Sequence, residues 1–378
     1  MTVPKIMTPG PTQIRENVRQ AMGLVCTNPD LDPAFFDFYR ELCAKLAGIW
    51  RSSGQVYILS GEGILGLEAA CASLTEPGDR VLVLDNGVFG RGFADFVKLY
   101  GGRPVLYTTD YREAISPAAL RAYLEKDSDF KYATVVHCDT PSGMLNPIGE
   151  ICPLLHEFGI LTVVDSVSAM FGNPLNADQA KIDILCGGSQ KALSAAVGLT
   201  LLSVSAGAMA AMENRKAPIA SFYANILAFK DYDKNRWFPY TPPITDILGL
   251  AAAVDNVLAD PDILGRHHRI AAACRRALTE GGLTLYQRSG FSDTVTVFQV
   301  PPGITAKAIL DTLLEEHDIM LAGSFDCLAG QVIRIGHMGE NAREDDMTET
   351  MTALGKALDK LGLSQAADLG QAFCRALA

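Results

Sequence analysis

Two residues near the middle of the chain have the types and spacing needed for amine chemistry. Asp165 ends a strand-like apolar run, and Lys191 follows the next such run after a Gly-Gly-Ser-Gln turn. Because the carboxyl ends of parallel strands meet at one edge of a sheet, we expect both side chains at the same site. A desolvated lysine amine can act as a nucleophile, and an aspartate can pair with a protonated pyridine nitrogen. The alternative is a surface lysine and an aspartate that caps a helix.

Glu62 stands at a corner where an anion would ordinarily bind. It follows the strand-like run 55–59 and precedes a helix-like run that begins at Ile64. A strand–glycine–helix corner normally offers free amide groups to an anionic ligand, and a carboxylate there has the wrong sign to help a phosphate. Glu62 is therefore either an incidental cap or part of a pocket shaped for a ligand without phosphate.

The elements that position these residues alternate as in an α/β fold. We interpret short apolar runs as strands at 55–60, 81–85, 104–107, 132–138, 161–165, 182–186 and 199–203, with helices near 64–74, 88–100, 116–126, 147–158 and 206–213. Nearly continuous apolar strands separated by helices predict a mostly parallel sheet covered on both faces. The composition changes after residue 243, where long helices dominate. We predict an N-terminal arm (1–18), a large domain (19–243) and a smaller α+β domain (244–378).

The bulk composition excludes several classes of partner. The net charge is −11 and the pI about 5.1, which argues against nucleic acid or an acidic membrane surface. None of the nine cysteines forms a CxxC pair, which is typical of buried thiols in a reducing compartment. The sequence contains neither a signal-peptide pattern nor a membrane-length apolar run, so a cytoplasmic protein is expected. No HExxH pattern is present, and no metal site is predicted.

Several motifs resemble class V aminotransferases in order and spacing. They are Thr8-Pro9-Gly10-Pro11-Thr12, Val164-Asp165-Ser166-Val167-Ser168, Gly188-Ser189-Gln190-Lys191-Ala192-Leu193 and Arg334-Ile335-Gly336. The likeness extends from about residue 7 to 362. These fold-type I enzymes depend on a pyridoxal cofactor and include the alanine–glyoxylate and serine–glyoxylate aminotransferases. The resemblance implies a large domain with a mostly parallel seven-stranded sheet, small-molecule substrates, and a homodimer or homotetramer with its active site at the subunit interface.

The resemblance also implies a role for each matching residue. Lys191 would form the internal Schiff base, Asp165 would hold the pyridine N–H, and Arg334 would bind the substrate carboxylate with its two-pronged guanidinium. The remaining predicted contacts to the cofactor are Gly63, Ile64, Phe89 stacked on the ring, Thr140 near the ring hydroxyl, and Gln190 and Thr241 at the phosphate, the threonine coming from the partner subunit. The alternatives are a core phenylalanine for Phe89 and a structural ion pair for Arg334.

The corner around Glu62 departs from most of the family, which has a small hydroxyl residue at that position and often a ring-contacting side chain at Ile64. The departure resembles the pyridoxamine–pyruvate aminotransferase branch, which uses unphosphorylated pyridoxal or pyridoxamine as substrate. We therefore expect amino transfer between free pyridoxamine and a small 2-oxo acid, with pyruvate converted to L-alanine, and no tightly bound pyridoxal phosphate. Two positions differ from that branch: Gln190 replaces an asparagine, and Phe325 replaces a second arginine.

Other functions remain open from the sequence. An ordinary pyridoxal-phosphate-dependent alanine/serine–glyoxylate-type transaminase is the main alternative. A cysteine desulfurase would need Cys327 as its catalytic thiol. A nicotinamide-dependent dehydrogenase would need a GxGxxG pattern, which the glycine-rich stretch 87–92 lacks. A non-catalytic binding module would have no use for a reactive Lys191.

Overall fold

A seven-stranded sheet forms the centre of the protein in the computed structural model, which describes residues 3–378. The strands of the chain are β1 (Lys5–Ile6), β2 (Gln55–Ser60), β3 (Arg80–Asp85), β4 (Arg103–Thr108), β5 (Tyr132–Val136), β6 (Cys138–Asp139), β7 (Met144–Leu145), β8 (Leu161–Asp165), β9 (Ile184–Gly188), β10 (Leu199–Val204), β11 (Val295–Gln299), β12 (Ile319–Met320) and β13 (Val332–Gly336). The central sheet has the order β2-β10-β9-β8-β5-β3-β4, and only β10 runs antiparallel to its neighbours. The predicted mostly parallel sheet is confirmed.

Helices cover this sheet and build the C-terminal part of the chain. They are α1 (Glu16–Met22), α2 (Pro33–Trp50), α3 (Ile64–Leu74), α4 (Val88–Leu99), α5 (Pro117–Leu124), α6 (Ile148–Glu157), α7 (Ala206–Glu213), α8 (Tyr232–Asn235), α9 (Ile244–Leu258), α10 (Ile263–Glu280), α11 (Ala306–His317), α12 (Glu344–Lys360) and α13 (Leu369–Leu377). Every residue of β5 and β9 is buried, which requires cover on both faces of the sheet. No helix within residues 3–378 combines the length and apolar content needed to cross a membrane.

Two helices near the N-terminus were not predicted from the sequence. Helix α2 begins with a run of aromatic residues, which is more typical of strands than of helices. A strong start signal nevertheless exists, because the Asp32 side chain accepts a hydrogen bond from the Ala34 N–H at 2.9 Å and Pro33 occupies the first helical turn. The buried Tyr39 hydroxyl anchors the helix to the backbone of Ile58 in β2.

The buried apolar residues form two clusters. The larger one surrounds the central sheet and includes the buried face of α9. The smaller one joins α10, α11, α12 and α13 with the β11–β13 pair. The predicted division of the chain into an arm and two domains, with a boundary after residue 243, stays a prediction.

The N-terminal arm connects the smaller cluster to the edge of the central sheet. Strand β1 pairs in parallel with β12, and the Met7 carbonyl accepts a hydrogen bond from the Gly336 N–H at 2.8 Å. The arm then passes over the turn that follows β9, where the Thr12 N–H donates to the Gln190 carbonyl at 3.0 Å. Residues 7–12 are thereby placed directly beside Lys191.

Candidate active site

A small cavity opens where the loops after β8 and β9 meet the start of α3 and α4. This is the carboxyl edge of the parallel strands, where ligands bind in open α/β sheets. The lining residues are Glu62, Ile64, Leu67, Phe89, Asp165, Val167, Ser168 and Lys191. Five of the predicted site residues therefore share one cavity.

Lys191 is held by the N-terminal arm. Its Nζ donates a hydrogen bond to the Pro9 carbonyl at 2.6 Å, and the Thr12 hydroxyl donates to the Lys191 carbonyl at 3.0 Å. Gly10 has a φ of +97°, and a Cβ built on it would lie 2.4 Å from Lys191 Cδ, so only glycine fits there. Burial, and then the positive charge of Arg334, lower the pKa of Lys191, whereas Glu62 and Asp165 oppose that shift. The amine is thus easier to deprotonate than a surface lysine.

Asp165 is a buried carboxyl group without a cationic partner in contact. Its Oδ1 accepts a hydrogen bond from the Val167 N–H at 2.9 Å, and no residue within 3–378 donates to its Oδ2. Burial raises the pKa of Asp165 to about 7; the Val167 amide and Lys191 oppose that rise, and the charge of Asp139 adds to it. A protonated heterocyclic nitrogen would supply the missing positive charge and lower this pKa.

Phe89 and Val167 give the cavity its apolar walls. The Phe89 N–H donates to Asp139 Oδ1 at 2.8 Å, and the Ser142 hydroxyl donates to Asp139 Oδ2 at 2.7 Å, so a buried carboxyl group anchors the first turn of α4. Val167 packs against Gly63, where an added Cβ would lie 3.0 Å from Val167 Cγ2. These walls, the buried Asp165 and the buried lysine amine together fit a flat pyridine ring with an aldehyde or amine substituent.

Both carboxylate oxygens of Glu62 are engaged at the corner before α3. Oε2 accepts a hydrogen bond from the Ile64 N–H at 3.0 Å, and Oε1 accepts one from Gln190 Nε2. The Glu62 carbonyl accepts from the Thr200 hydroxyl at 2.8 Å. Glu62 therefore caps α3 and also binds the residue next to Lys191. The Gln190 Oε1 atom is buried and has no hydrogen-bond partner among residues 3–378.

Arg334 lies on β13 with most of its guanidinium free of protein partners. Nε donates to the Gly323 carbonyl at 2.5 Å, and the guanidinium carbon lies 5.5 Å from the centre of the Phe325 ring. Burial lowers the pKa of Arg334 to about 10, and Asp139 opposes that shift. Within residues 3–378 no acidic group forms a salt bridge with Arg334, so the structural ion pair considered from the sequence is not found. Its Nη donors remain available to a carboxylate.

Five predicted site residues are absent from the cavity lining: Gly63, Gln190 and Arg334, which are described above, and Thr140 and Thr241. Thr140 is buried beside Asp139, in the turn between β6 and β7. Thr241 is exposed, and its hydroxyl donates to Asp30 at 2.8 Å. The predicted contact of Thr241 with a neighbouring subunit's ligand stays a prediction.

The structure adds site residues that the sequence analysis did not assign. Leu67, Val167 and Ser168 line the cavity, and Pro9 accepts the hydrogen bond from Lys191. Val167 and Ser168 could have been identified, because they follow Asp165 at the carboxyl edge of β8. The Pro9 contact had no local signal, because its partner is 182 residues away in the chain.

The chain is similar to several known proteins. The profile of the class V aminotransferases matches residues 37–346. The chain is 35% identical over 361 residues to the pyridoxamine–pyruvate transaminase of Mesorhizobium japonicum, covering 94% of this chain and 92% of that protein. It is 30% identical over 377 residues to the L-aspartate–glyoxylate aminotransferase of Paracoccus denitrificans, covering 97% and 91%. The crystal structure of pyridoxamine–pyruvate aminotransferase from Mesorhizobium loti matches with a TM-score of 0.95 at 32% identity, covering 99% and 97%.

Proposed function

The chain belongs to the class V aminotransferases, and we propose that it transfers an amino group between free pyridoxamine or pyridoxal, taken as a substrate, and a small 2-oxo acid. Pyruvate, converted to L-alanine, is the proposed acceptor. The observation that carries this proposal is the Glu62–Gln190 contact at the corner before α3. The likeness to pyridoxamine–pyruvate transaminase over 94% of the chain supports it.

The corner favours a hydroxyl over a phosphate. A phosphate bound there would place nearly two negative charges beside the Glu62 carboxylate. From the sequence, Gln190 argued for a phosphate site, because its amide could donate to the phosphate oxygens. In the structure Gln190 Nε2 donates to Glu62. The remaining polar atom of that side chain, Oε1, can only accept a hydrogen bond and so cannot donate to a phosphate oxygen. A 5′-hydroxyl could donate to Glu62, whereas a phosphate dianion could not.

The other cavity residues have distinct proposed roles. Bound pyridoxal supplies an electron sink for carbanion chemistry. Asp165 accepts the ring N–H and keeps that nitrogen protonated, and Phe89 packs on the ring face. Lys191, whose pKa is lowered mainly by burial, would join the aldehyde carbon with loss of water, and as a free amine it would move a proton at the carbon that carries the amino group. Arg334 binds the carboxylate of the keto acid.

A pyridoxal-phosphate-dependent aminotransferase of the alanine/serine–glyoxylate type is the second candidate. The 30% identity to L-aspartate–glyoxylate aminotransferase over 97% of the chain favours it. In that case the Glu62 side chain would turn away from the corner, and Gln190 and the partner's Thr241 would hold the phosphate.

We also propose a homo-oligomer, dimer or tetramer, with the site at a subunit interface. Large apolar side chains are exposed in two segments, near residues 24–31 and 222–237; they are Leu24, Val25, Leu31, Phe222, Tyr223 and Trp237. Exposed patches of this kind mark association surfaces. The hydrogen bond from Thr241, just after the second segment, to Asp30 in the first segment holds these two regions together. Light scattering on the purified protein tests this proposal, and a monomer at micromolar concentration would contradict it.

Two measurements test the proposed function: which small molecule is bound to the purified protein, and which substrates the protein converts. The as-purified wild type should lack stoichiometric pyridoxal phosphate by absorbance and by mass spectrometry of the released small molecules. Added pyridoxal should attach to Lys191, and pyridoxamine with pyruvate should yield alanine. Lys191→Ala is the control for attachment. Tightly bound pyridoxal phosphate together with no turnover of free pyridoxamine would contradict this proposal and favour the glyoxylate-type enzyme.

A further inference from the structure

A buried asparagine fixes the part of the N-terminal arm that lies against Lys191. Asn341 belongs to a short 3-10 helix after β13, and its side chain is fully buried. Its Oδ1 accepts a hydrogen bond from the Gln13 N–H at 3.1 Å, and its Nδ2 donates to the Thr8 carbonyl at 3.4 Å. One side chain therefore holds the arm on both sides of residues 9–12.

Residues 9–12 lie directly on the lysine. The Pro9 carbonyl accepts the hydrogen bond from Lys191 Nζ at 2.6 Å. The backbone at Gly10 is so close that an added Cβ would lie 2.5 Å from the same Nζ. The Thr12 hydroxyl donates to the Lys191 carbonyl at 3.0 Å. The arm therefore excludes water from one side of the amine and supplies part of the burial that lowers the pKa of Lys191.

We propose that Asn341 is a positioning residue for Lys191 and acts through residues 8–13 of the arm. While no pyridoxal compound is attached, the Pro9 carbonyl holds the amine and the arm backbone shields it from water. This inference rests on the proposed function, in which the pyridoxal compound enters and leaves as a substrate, so that Lys191 is a free amine in an empty site once per cycle. The neutral amine must then bond to the aldehyde carbon of pyridoxal, whose oxygen leaves as water. A shielded amine is neutral at a lower pH and therefore reacts faster near neutrality.

Four other groups act on the protonation of this amine from elements around the cavity. They are Arg334 on β13, Glu62 before α3, Asp165 at the end of β8 and Cys138 on β6. The positive charge of Arg334 favours the neutral amine, whereas Glu62 and Asp165 favour the ammonium form. Asn341 hydrogen-bonds to the arm and to the end of β13 instead. Its removal should therefore change the hydration of Lys191 and leave these charges in place.

The experiment measures how the rate of covalent attachment of pyridoxal depends on pH. Asn341→Ala should loosen the arm and admit water to the amine. The pH midpoint of attachment should then rise by about one unit, which lowers the rate at pH 7 by roughly tenfold. Asn173→Ala is the matched control, because Asn173 is also buried and makes three comparable hydrogen bonds outside the arm, with the Ala169 carbonyl, the Ser292 hydroxyl and the Asp293 N–H. Its midpoint should equal that of wild type.

Two further measurements separate a positioning role from a structural one. 4-Deoxypyridoxine has the pyridine ring but no aldehyde, and it should bind every variant within about threefold of its wild-type affinity. Trace acetylation of Lys191 by acetic anhydride, followed by mass spectrometry in protein without a bound pyridoxal compound, should show the same upward shift of the midpoint. Thr12→Val loses only the hydroxyl contact to the lysine turn and should shift both midpoints in the same direction. It carries the test if Asn341→Ala does not fold.

Three outcomes decide the matter. Unmoved midpoints in folded Asn341→Ala, or in Thr12→Val where Asn341→Ala does not fold, would overturn this inference. An equal shift in Asn173→Ala, or a parallel loss of 4-deoxypyridoxine binding in Asn341→Ala, would indicate a general structural role instead. Each rate is measured with pyridoxal and with its phosphate. A midpoint shift with the phosphate, in a protein to which free pyridoxal does not attach, would support the role of the arm while contradicting the free-vitamin function.

Discussion

Replacing Glu62 with glutamine removes one negative charge from the corner before α3 and preserves the shape of the side chain. The wild-type carboxylate accepts hydrogen bonds from the Ile64 N–H and from Gln190 Nε2. An amide can keep one of these bonds through its oxygen. Its NH₂ group can donate to Gln190 Oε1 once the Gln190 amide turns over; in the wild type that oxygen is buried and has no partner within residues 3–378. We therefore expect Glu62→Gln to fold normally and to bind pyridoxal phosphate more tightly.

The size of the effect follows from Coulomb's law. Two unit charges about 4 Å apart interact by about 4 kcal/mol at an effective dielectric constant of about 20. Solvent reduces this repulsion because Glu62 is only half-buried. Removal of the carboxylate should therefore improve pyridoxal phosphate affinity by about 1.4 to 4 kcal/mol, which corresponds to roughly tenfold to a thousandfold. Affinity for free pyridoxal should change far less, and a small loss is expected because a hydroxyl prefers a charged acceptor.

The assay is equilibrium titration of each protein with pyridoxal and with pyridoxal phosphate, followed through the absorbance of the lysine-linked form. Glu68→Gln is the matched control, since Glu68 lies on α3, the helix that follows Glu62, and accepts a hydrogen bond from the Tyr100 hydroxyl at 2.6 Å, outside the cavity lining. Its ratio of the two dissociation constants should equal that of wild type. If Glu62→Gln also leaves this ratio within about twofold of wild type, the electrostatic argument for a phosphate-free corner is wrong.

Three further substitutions test the remaining roles. Lys191→Ala should abolish covalent attachment of pyridoxal and lower turnover by about a hundredfold to ten-thousandfold or more, and near-wild-type turnover would refute the transaminase mechanism. Arg334→Lys loses the planar guanidinium and should lower kcat/KM for the keto acid by about ten- to a hundredfold, with pyridoxal binding unchanged; equal loss of both would indicate a folding role. Asp165→Asn should change the pH dependence of stability in the protein without a bound pyridoxal compound. Burial raises the pKa of Asp165 to about 7 in the folded state, so between about pH 4 and 7 the folded protein holds a proton that the unfolded chain has released. As the pH rises from about 4 to 7, the free energy of unfolding of the wild type, measured in urea, should therefore fall by up to about 4 kcal/mol relative to that of the variant. If the free energies of unfolding of the two proteins change with pH in parallel, the raised pKa of Asp165 is wrong.

The sequence alone was sufficient to predict most of the central sheet and the edge that carries the site. Apolar runs of strand length, separated by helical patterns, predicted its strands to within a few residues. Because parallel strands end at a common edge, Asp165 and Lys191 could be placed together without coordinates. Helix α2 could also have been predicted, because its buried residues between Phe35 and Trp50 recur at helical spacing after the Asp32-Pro33 start signal. Its aromatic residues, which are more typical of strands, obscured this pattern.

Only the tertiary structure decided which neighbours the predicted site residues contact. Glu62 and Gln190 are 128 residues apart, and their contact changes Gln190 from a predicted phosphate donor into the partner of a carboxylate. Pro9 and Lys191 are 182 residues apart, and Phe325 reaches Phe89 from a distant loop. Residue type and local periodicity specify which elements form and which groups can react. The orientation of the Gln190 side-chain amide and the contact between the Phe325 and Phe89 rings depend on long-range packing. Long-range packing leaves no periodic signal in the sequence.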